Sequence, residues 1–304
     1  MRLGYNTNGL PHHRLADAIN LLADEGYESV AITLDAAALD PYQDPGALAR
    51  EVAATRDLLD RRGLARVVET GARYLLNPRL KHDPTLMDPD PARREVRADF
   101  LGRSIDIARA LGAECVSLWS GRLPDAVGDE AAMDRLAGAL GPVLAHAEAA
   151  GIPLAFEPEP GMFIDTMERF ARLDGRIDHP LFGLTIDLGH VHCIEDGPAA
   201  PHILRWAPRI LNIHAEDMVR GVHEHLMFGE GTMDFPALFE ALREAGYARG
   251  VHVELSRHGH AAVDAVRASA AFLTPLIRPA SPSPTAAAPV PGPGRPSAPD
   301  RGPR

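Results

Sequence analysis

The feature that most constrains this fold is the alternation of short β-type runs with longer helical patterns, repeated eight times along the chain. Such alternation is typical of βα units around a parallel sheet. Eight units predict an α/β fold of the (β/α)8, or TIM, barrel type, which commonly takes about 250 residues. We expect strands at LGYNT (3–7), SVAITL (29–34), ARVVET (65–70), CVSLW (115–119), IPLAFE (152–157), FGLTID (182–187), RILNIH (209–214) and GVHVEL (250–255).

The composition changes near the C-terminus. Residues 279–304, PASPSPTAAAPVPGPGRPSAPDRGPR, contain almost no bulky apolar side chain. A segment of this kind cannot build a core, so we expect a disordered Pro-rich tail after a single barrel domain at residues 1–278. Within the barrel, residues 71–91 and 215–234 are predicted to be long loops, which in compact domains usually serve a site.

Charge and cysteine content exclude several function classes. The formal net charge is -11, with 31 basic and 42 acidic residues, so the surface repels phosphate backbones and nucleic acid is not an expected partner. Two isolated cysteines suit a reducing compartment. No segment has the apolar length of a secretion signal or a membrane helix. We therefore expect a cytoplasmic protein without a membrane partner.

Four polar residues end the last four predicted strands. In IPLAFE, bulky residues alternate with small or polar ones, and FGLTID repeats the pattern. If the bulky face packs on the outer helices, the strand-end residues point into the barrel at its C-terminal mouth, where barrel active sites lie. These residues are Glu157, Asp187, His214 and Glu254.

A divalent metal is the expected reason for this convergence. Three carboxylates would repel one another unless a cation lay between them, although each residue alone could be an ordinary polar strand end. Oxygen-rich ligation with one nitrogen suits Mn²⁺, which we place first, with Mg²⁺, Co²⁺ or Zn²⁺ as alternatives. Glu159 replaces Glu157 as ligand if the strand runs two residues further, because a period of two keeps it on the same face.

Five motifs occur in an order that resembles a known family. They are FEPEPG (156–161), IDLGHVH (186–192), NIHAED (212–217), HLMFGEG (225–231) and HVELS (252–256). Over roughly residues 1–277 the chain resembles the xylose isomerase-like barrel superfamily, which includes sugar epimerases, hydroxypyruvate isomerase, inosose dehydratase and endonuclease IV. The combined order, and no single motif, makes the resemblance specific.

The resemblance to the tagatose epimerase-like branch implies roles for individual residues. Glu157 and Glu254 would bind the metal and flank the substrate as proton acceptor and donor. Asp187 and His214 would be the other ligands, and His190 would contact substrate oxygens.

Two residues after strand seven are candidates for substrate binding, and which one matches the family depends on where the count of residues starts. Counting from His214 gives Arg220; counting back from the Gly229–Gly231 turn gives His225, which we rank first. Asp217 is expected to orient His214, as carboxylates often do for metal-bound imidazole.

Other residues around the predicted mouth allow two interpretations each. Trp119, at the end of strand four, either stacks on a sugar or plugs the barrel. His252 is inward but one layer below Glu254, and is expected to be core. The loop at 71–91 is either a solvated charged loop, the interpretation we favour, or a clamp for a substrate phosphate or carboxylate. Its basic residues are Arg73, Arg79, Lys81 and His82.

These observations predict a metal-dependent isomerase or epimerase of a small polyhydroxylated substrate. A glutamate would remove a proton next to a carbonyl, and the resulting enediolate would be reprotonated. A dehydratase of an inosose or 3-keto-sugar shares the first step. An endonuclease IV-like phosphodiesterase is less favoured, because strands three and four end in VVET and SLW without histidine ligands. A barrel that only binds a ligand is a further alternative, and a homo-oligomer is compatible with the sequence.

Overall fold

Eight parallel strands close into a barrel in the computed structural model, which describes residues 1–279. The order around the barrel is β1-β10-β7-β6-β5-β4-β3-β2, and β8 and β9 form a separate hairpin. The predicted barrel is confirmed, whereas the predicted tail lies outside the described residues from residue 280 onward. The strands are β1 (Arg2–Asn6), β2 (Ser29–Thr33), β3 (Ala65–Glu69), β4 (Val116–Leu118), β5 (Leu154–Phe156), β6 (Phe182–Asp187), β7 (Ile210–Ala215), β8 (Asp217–Val219), β9 (Val222–Leu226) and β10 (Gly250–Val253).

The helices surround the barrel and begin and end at residues suited to those places. Asp44 and Asp90 accept hydrogen bonds from the first turns of α2 and α3, each followed by proline. Both helices end at a glycine with a left-handed backbone, Gly63 and Gly112. The helices are α1 (Leu15–Asp24), α2 (Pro45–Arg62), α3 (Pro91–Leu111), α4 (Asp129–Ala150), α5 (Met167–Ile177), α6 (Leu188–Ile194), α7 (Ala200–Trp206), α8 (Phe235–Glu244) and α9 (Ala262–Ile277). Across residues 1–279, every helix is too short or too polar to cross a membrane.

The two faces of each barrel strand bury different side chains. On β5, Leu154 and Phe156 belong to the large core shared with the outer helices. Ala155, between them, belongs to a separate small cluster inside the barrel. Because side chains alternate along a strand, the residue that follows Phe156 points inward as well. This alternation places Glu157 at the mouth.

A histidine fills the lower part of the barrel interior. His252 is fully buried, and its ring nitrogens lie 2.8 Å from Ser29 Oγ and 2.8 Å from Asn212 Oδ1. Glycines on β1 and β10 make room for the ring. A Cβ atom added at Gly4 would lie 2.4 Å from His252 Cδ2, and one at Gly250 would lie 2.4 Å from Cε1. The two glycines are therefore required by the close approach of this ring.

Gly4→Ala tests that requirement. The ring of His252 is held by two hydrogen bonds and cannot shift cheaply, so we expect the free energy of unfolding to fall by about 2 kcal/mol. Urea unfolding measures the change. Gly138→Ala is the control, because Gly138 lies on α4 with open space around it. That substitution should stabilise the helix by up to about 1 kcal/mol. Equal stability of the Gly4 variant and the wild type would contradict the packing argument.

The hairpin of β8 and β9 lies in the segment expected to be a long loop. It follows β7 directly, and Val219 pairs with Val222 across its turn. The hairpin carries His223 and His225 to the mouth of the barrel, where both line the central cavity. A local fold in this loop thus adds two imidazoles to the site.

Candidate functional site

Four side chains from consecutive barrel strands meet at the C-terminal mouth. One ligand atom from each of Glu157, Asp187, His214 and Glu254 lies within 4.8 Å of the others. His214 Nδ1 is 3.1 Å from Glu157 Oε1 and 3.1 Å from Glu254 Oε2. The first three residues are buried, and the Glu254 side chain is 16% exposed. The structure therefore brings together the four residues predicted as ligands.

The electrostatics of this cluster are those of crowded carboxylates around one imidazole. Burial raises the pKa of Glu157 well above its ordinary value. Burial alone would lower the pKa of His214, but the carboxylates of Glu69, Glu157 and Glu254 hold it well above its usual range. The cluster thus attracts positive charge, which a proton or a divalent cation can supply.

Asp187 is fixed in place by one of its two carboxylate oxygens. Oδ1 accepts a hydrogen bond of 2.8 Å from the backbone N–H of His190 and so caps α6. Oδ2 is buried and has no hydrogen-bond partner among residues 1–279. A buried oxygen left without a donor is costly, and either a proton on the neighbouring Glu216 carboxyl or a bound cation would satisfy it. Together with the donor set, this oxygen fits a divalent metal.

Glu254 has a partner that the sequence did not indicate. Asn8, in the turn after β1, donates a hydrogen bond of 2.7 Å from Nδ2 to Glu254 Oε1. Arg73 in turn donates to the backbone carbonyl of Asn8 at 3.0 Å. The turn after β1, itself held by the 71–91 loop, therefore fixes the Glu254 carboxylate.

Glu157 and Glu254, with Asn8, line a cavity of about 150 Å³. Pockets for drug-sized ligands take about 300–1,000 Å³, so this cavity suits a smaller molecule. Its wall is mainly polar. The lining residues are Asn6, Asn8, Thr33, Glu69, Thr70, Gly71, Arg73, Lys81, His82, Trp119, Glu157, Glu159, His190, His223, His225, Glu254, Ser256 and Arg257.

Most of the residues predicted to contact substrate line this cavity. They are His190, His225, Trp119, Lys81 and His82. Arg220 lies elsewhere, because its guanidinium donates to the backbone carbonyls of Glu195 and Gly197 at 2.6 Å. Counting back from the glycine turn therefore located the histidine at the cavity, and counting forward from His214 did not. Arg79, from the predicted basic cluster, does not line the cavity either, whereas Arg73 does.

Three histidines form a second cluster beside the first. One ring nitrogen each from His190, His223 and His225 lies within 4.8 Å of the others. The Nε2 atoms of His190 and His223 are 3.1 Å apart. Burial lowers the pKa of His190 to about 4, so its ring is neutral near pH 7 and one ring nitrogen keeps a lone pair. His223 was not among the residues singled out in the sequence.

Asp217 makes different contacts from those expected of it. Its carboxylate accepts four backbone N–H groups, from Met218, Gly229, Gly231 and Met233, at 2.9–3.3 Å. Asp217 therefore folds the glycine turn onto β8 and does not orient His214. The carboxylate that contacts the His214 ring comes from another strand. The physical reason is the fold of the loop itself, which turns its own amides toward this carboxylate.

Glu69 takes that place. Its Oε1 lies 2.9 Å from His214 Nε2, on the side of the ring away from Glu157 and Glu254. Glu69 is the last residue of β3, and its carboxylate is buried. The signal in the sequence is the carboxylate of VVET, one residue before the end of the predicted third strand.

Two further glutamates surround the cluster. Glu159 is half-buried at the cavity wall, and burial raises its pKa to about 8. Glu216 is fully buried next to Asp187, and neither of its oxygens has a hydrogen-bond partner within residues 1–279. Burial and the neighbouring Asp187 raise its pKa well above the ordinary value. The mouth therefore holds two glutamate side chains in addition to the four predicted ligands, and burial favours their protonated form.

Comparison with known proteins identifies the family and the fold. A family model described as xylose isomerase-like TIM barrel matches residues 19–276. A putative L-ribulose-5-phosphate 3-epimerase of Escherichia coli K12, SgbU, is 26% identical over 173 residues, which are 55% of this chain and 60% of the relative. The chain spans between 57% and 66% of the length of the curated relatives that it matches.

Solved structures resemble nearly the whole chain. A D-allulose 3-epimerase from Methylomonas sp., in complex with D-allulose, has a TM-score of 0.70 at 21% identity and covers 90% of this chain and 96% of its own. The IolI protein with a bound zinc atom has a TM-score of 0.73 at 17% identity, covering 91% and 98%. At these identities the likeness establishes a shared fold.

Proposed function

This chain belongs to the xylose isomerase-like TIM barrel family, and from that premise we propose that it is a divalent-metal-dependent isomerase or epimerase of a sugar, keto-sugar or polyol. The observation that carries the proposal is the cluster of three carboxylates and one imidazole, of which Glu157 and Glu254 line a small polar cavity. Relatives named as sugar epimerases support the reaction class.

The ion would be held by Glu157, Asp187, His214 and Glu254. When bound, a divalent cation supplies positive charge that stabilises the negative charge developing on a substrate carbonyl. Mn²⁺ remains the first expectation from the oxygen-rich donor set. The zinc in the IolI structure supports a divalent ion in a related barrel and leaves the identity of the metal to experiment.

Glu157 and Glu254 would move the proton. Their strands, β5 and β10, are separated by β6 and β7 in the barrel order, so the two carboxylates approach the cavity from different directions. One glutamate, ionised, would remove the proton next to the carbonyl, and the other, in its carboxylic acid form, would return a proton to the enediolate, so the two exchange protonation states. His190 and His225 line the same cavity and would donate hydrogen bonds to substrate oxygens. Trp119, with His82 against its ring, would close the cavity on the side of the 71–91 loop, where Lys81 also lines the wall.

Metal content and solvent deuterium incorporation test this proposal together. We expect roughly one divalent ion per purified chain by elemental analysis, from a site of four donors. We also expect incorporation of solvent deuterium into at least one member of a panel of ketoses and inososes, because the exchanged proton passes through a carboxylate in contact with water. A product lighter by one water would assign the reaction to a dehydratase. Protein that binds no divalent metal and exchanges no proton would refute the proposal.

A second candidate function rests on the three-histidine cluster. A site with imidazole ligands next to the carboxylates would suit a multi-metal hydrolase of phosphate esters. Metal stoichiometry separates the two candidates: roughly one ion per chain favours the isomerase, and two or more with phosphodiester cleavage favour the hydrolase.

A further inference from the structure

We propose that Glu69 is a positioning residue that holds the imidazole of His214 in the one tautomer able to bind a metal at Nδ1. The inference rests on the proposed metal site and extends it to the opposite wall of the barrel. In the barrel order, β3 and β7 are four strands apart in either direction, so Glu69 reaches His214 across the interior. The 2.9 Å contact between Glu69 Oε1 and His214 Nε2 therefore joins opposite walls.

The direction of each hydrogen bond below this contact follows from the groups involved. Asn212 Nδ2 lies 3.1 Å from Glu69 Oε1, and a carboxylate can only accept, so the amide nitrogen is correctly placed on that side. Asn212 Oδ1 then faces His252 Nδ1 at 2.8 Å and accepts a hydrogen bond from it. His252 Nε2 accepts from Ser29 Oγ at 2.8 Å. The buried chain thus fixes the Asn212 amide as a donor toward Glu69.

The hydrogen bonds at Nε2 decide whether this nitrogen of His214 carries a proton. The Nε2 atom has two neighbours, the Glu69 carboxylate at 2.9 Å and the Asn212 amide nitrogen at 3.1 Å. The ionised Glu69 carboxylate accepts a hydrogen bond from a proton on Nε2. Glu157 and Glu254 face Nδ1 at 3.1 Å and attract a proton there in the metal-free protein, so a metal that binds Nδ1 would displace that proton while Glu69 keeps the one on Nε2. The amide nitrogen has the opposite preference, because it would donate to an Nε2 lone pair and move the ring proton to Nδ1. Glu69 therefore outweighs Asn212 and selects the tautomer.

Burial makes this selection strong. Glu69, Asn212 and His214 are each at most 6% exposed, so water does not compete for Nε2. A carboxylate that accepts a hydrogen bond from a metal-bound histidine raises the basicity of the imidazole and orients the ring. Removal of such a carboxylate typically lowers metal affinity by about 10- to 100-fold. Neither Glu157 nor Glu254 can replace Glu69, since both lie on the Nδ1 side.

Calorimetric titration of the metal-free full chain with Mn²⁺ and Zn²⁺ tests the role without an activity assay. Glu69→Met keeps the length of the side chain and removes the acceptor, so affinity should fall by about 10- to 100-fold. Glu69→Gln keeps an acceptor oxygen and should stay within about threefold of the wild type, because a neutral amide oxygen still selects the Nε2 proton. Glu69→Ala repeats the loss of the acceptor if the methionine variant does not fold, as judged by its melting curve.

Ser29→Ala is the matched control for the buried chain. It removes the hydrogen bond at the far end and leaves the Glu69–His214 contact in place, so affinity should be unchanged. Equal losses in the Ser29 and Glu69 variants, or equal affinity in the wild type and Glu69→Met, would overturn the positioning role. A wild type that binds neither ion would overturn the proposed metal site and this role with it. Retained binding without any isomerase activity would refute the reaction alone.

Discussion

Glu157→Gln and Glu254→Gln should each reduce deuterium exchange into the substrate by roughly a thousand-fold or more, within the range that general acid–base groups contribute. Glutamine preserves the shape of each side chain and its acceptor oxygen toward neighbours such as Asn8, but it cannot take up a proton. The melting temperature of the metal-free variants should stay close to that of the wild type. Exchange is measured by mass spectrometry on the substrate found in the panel.

Glu159→Gln is the comparison for these variants. Glu159 lines the same cavity but lies outside the group of four ligand atoms, so Glu159→Gln should lower the rate of deuterium exchange by less than about tenfold, below the range of a general acid or base. Loss of exchange in Glu159→Gln together with full exchange in Glu157→Gln would transfer the ligand on strand five to Glu159. Full exchange in both Glu157→Gln and Glu254→Gln would remove these residues from the mechanism.

Asp217→Ala should lower the free energy of unfolding by about 4 kcal/mol, because four backbone N–H groups lose a charged acceptor at once. Asp217 is 2% exposed, so water cannot replace the carboxylate without rearrangement of the turn. The turn that Asp217 holds adjoins the hairpin of β8 and β9, so His223 and His225 should lose their fixed positions as well. Urea unfolding and substrate affinity measure the two effects.

Two variants control for this prediction. Asp217→Asn keeps one acceptor oxygen but turns an NH₂ group toward two N–H donors. Its free energy of unfolding should therefore lie between those of the wild type and Asp217→Ala. Exposed Glu240 on α8 provides a carboxylate remote from the turn, and Glu240→Ala should change stability by less than about 0.5 kcal/mol. If Asp217→Ala matched Glu240→Ala, Asp217 would not anchor the loop.

The sequence alone was enough to predict the barrel and the convergence of four residues. Both follow from local regularities. The period of two on β5 and β6 separates bulky from small side chains, and parallel strands bring their C-terminal ends to one edge. The positions of Glu157 and Asp187 could therefore be inferred from the strands that carry them. The metal and the reaction remain predictions for the experiments above.

Contacts across the barrel and within the long loop could not be inferred in this way. Asp217 was expected next to His214, but the path of the loop after β7 turned its carboxylate toward the glycine turn. The same path formed the hairpin that brings His223 to His190. Nothing periodic marks either outcome, because loop conformation depends on which amides and acceptors meet in three dimensions.

The sequence by itself determined which side chains at the ends of strands five to eight reach the mouth of the barrel, since strand periodicity and parallel order are properties of neighbouring residues. Only the tertiary structure decided which partner each side chain meets there. Glu69 and His214 are 145 residues apart, and their contact depends on the number of strands that close the barrel and on their register. A hydrogen bond is sensitive to tenths of an ångström, whereas a sequence pattern fixes only the face of an element.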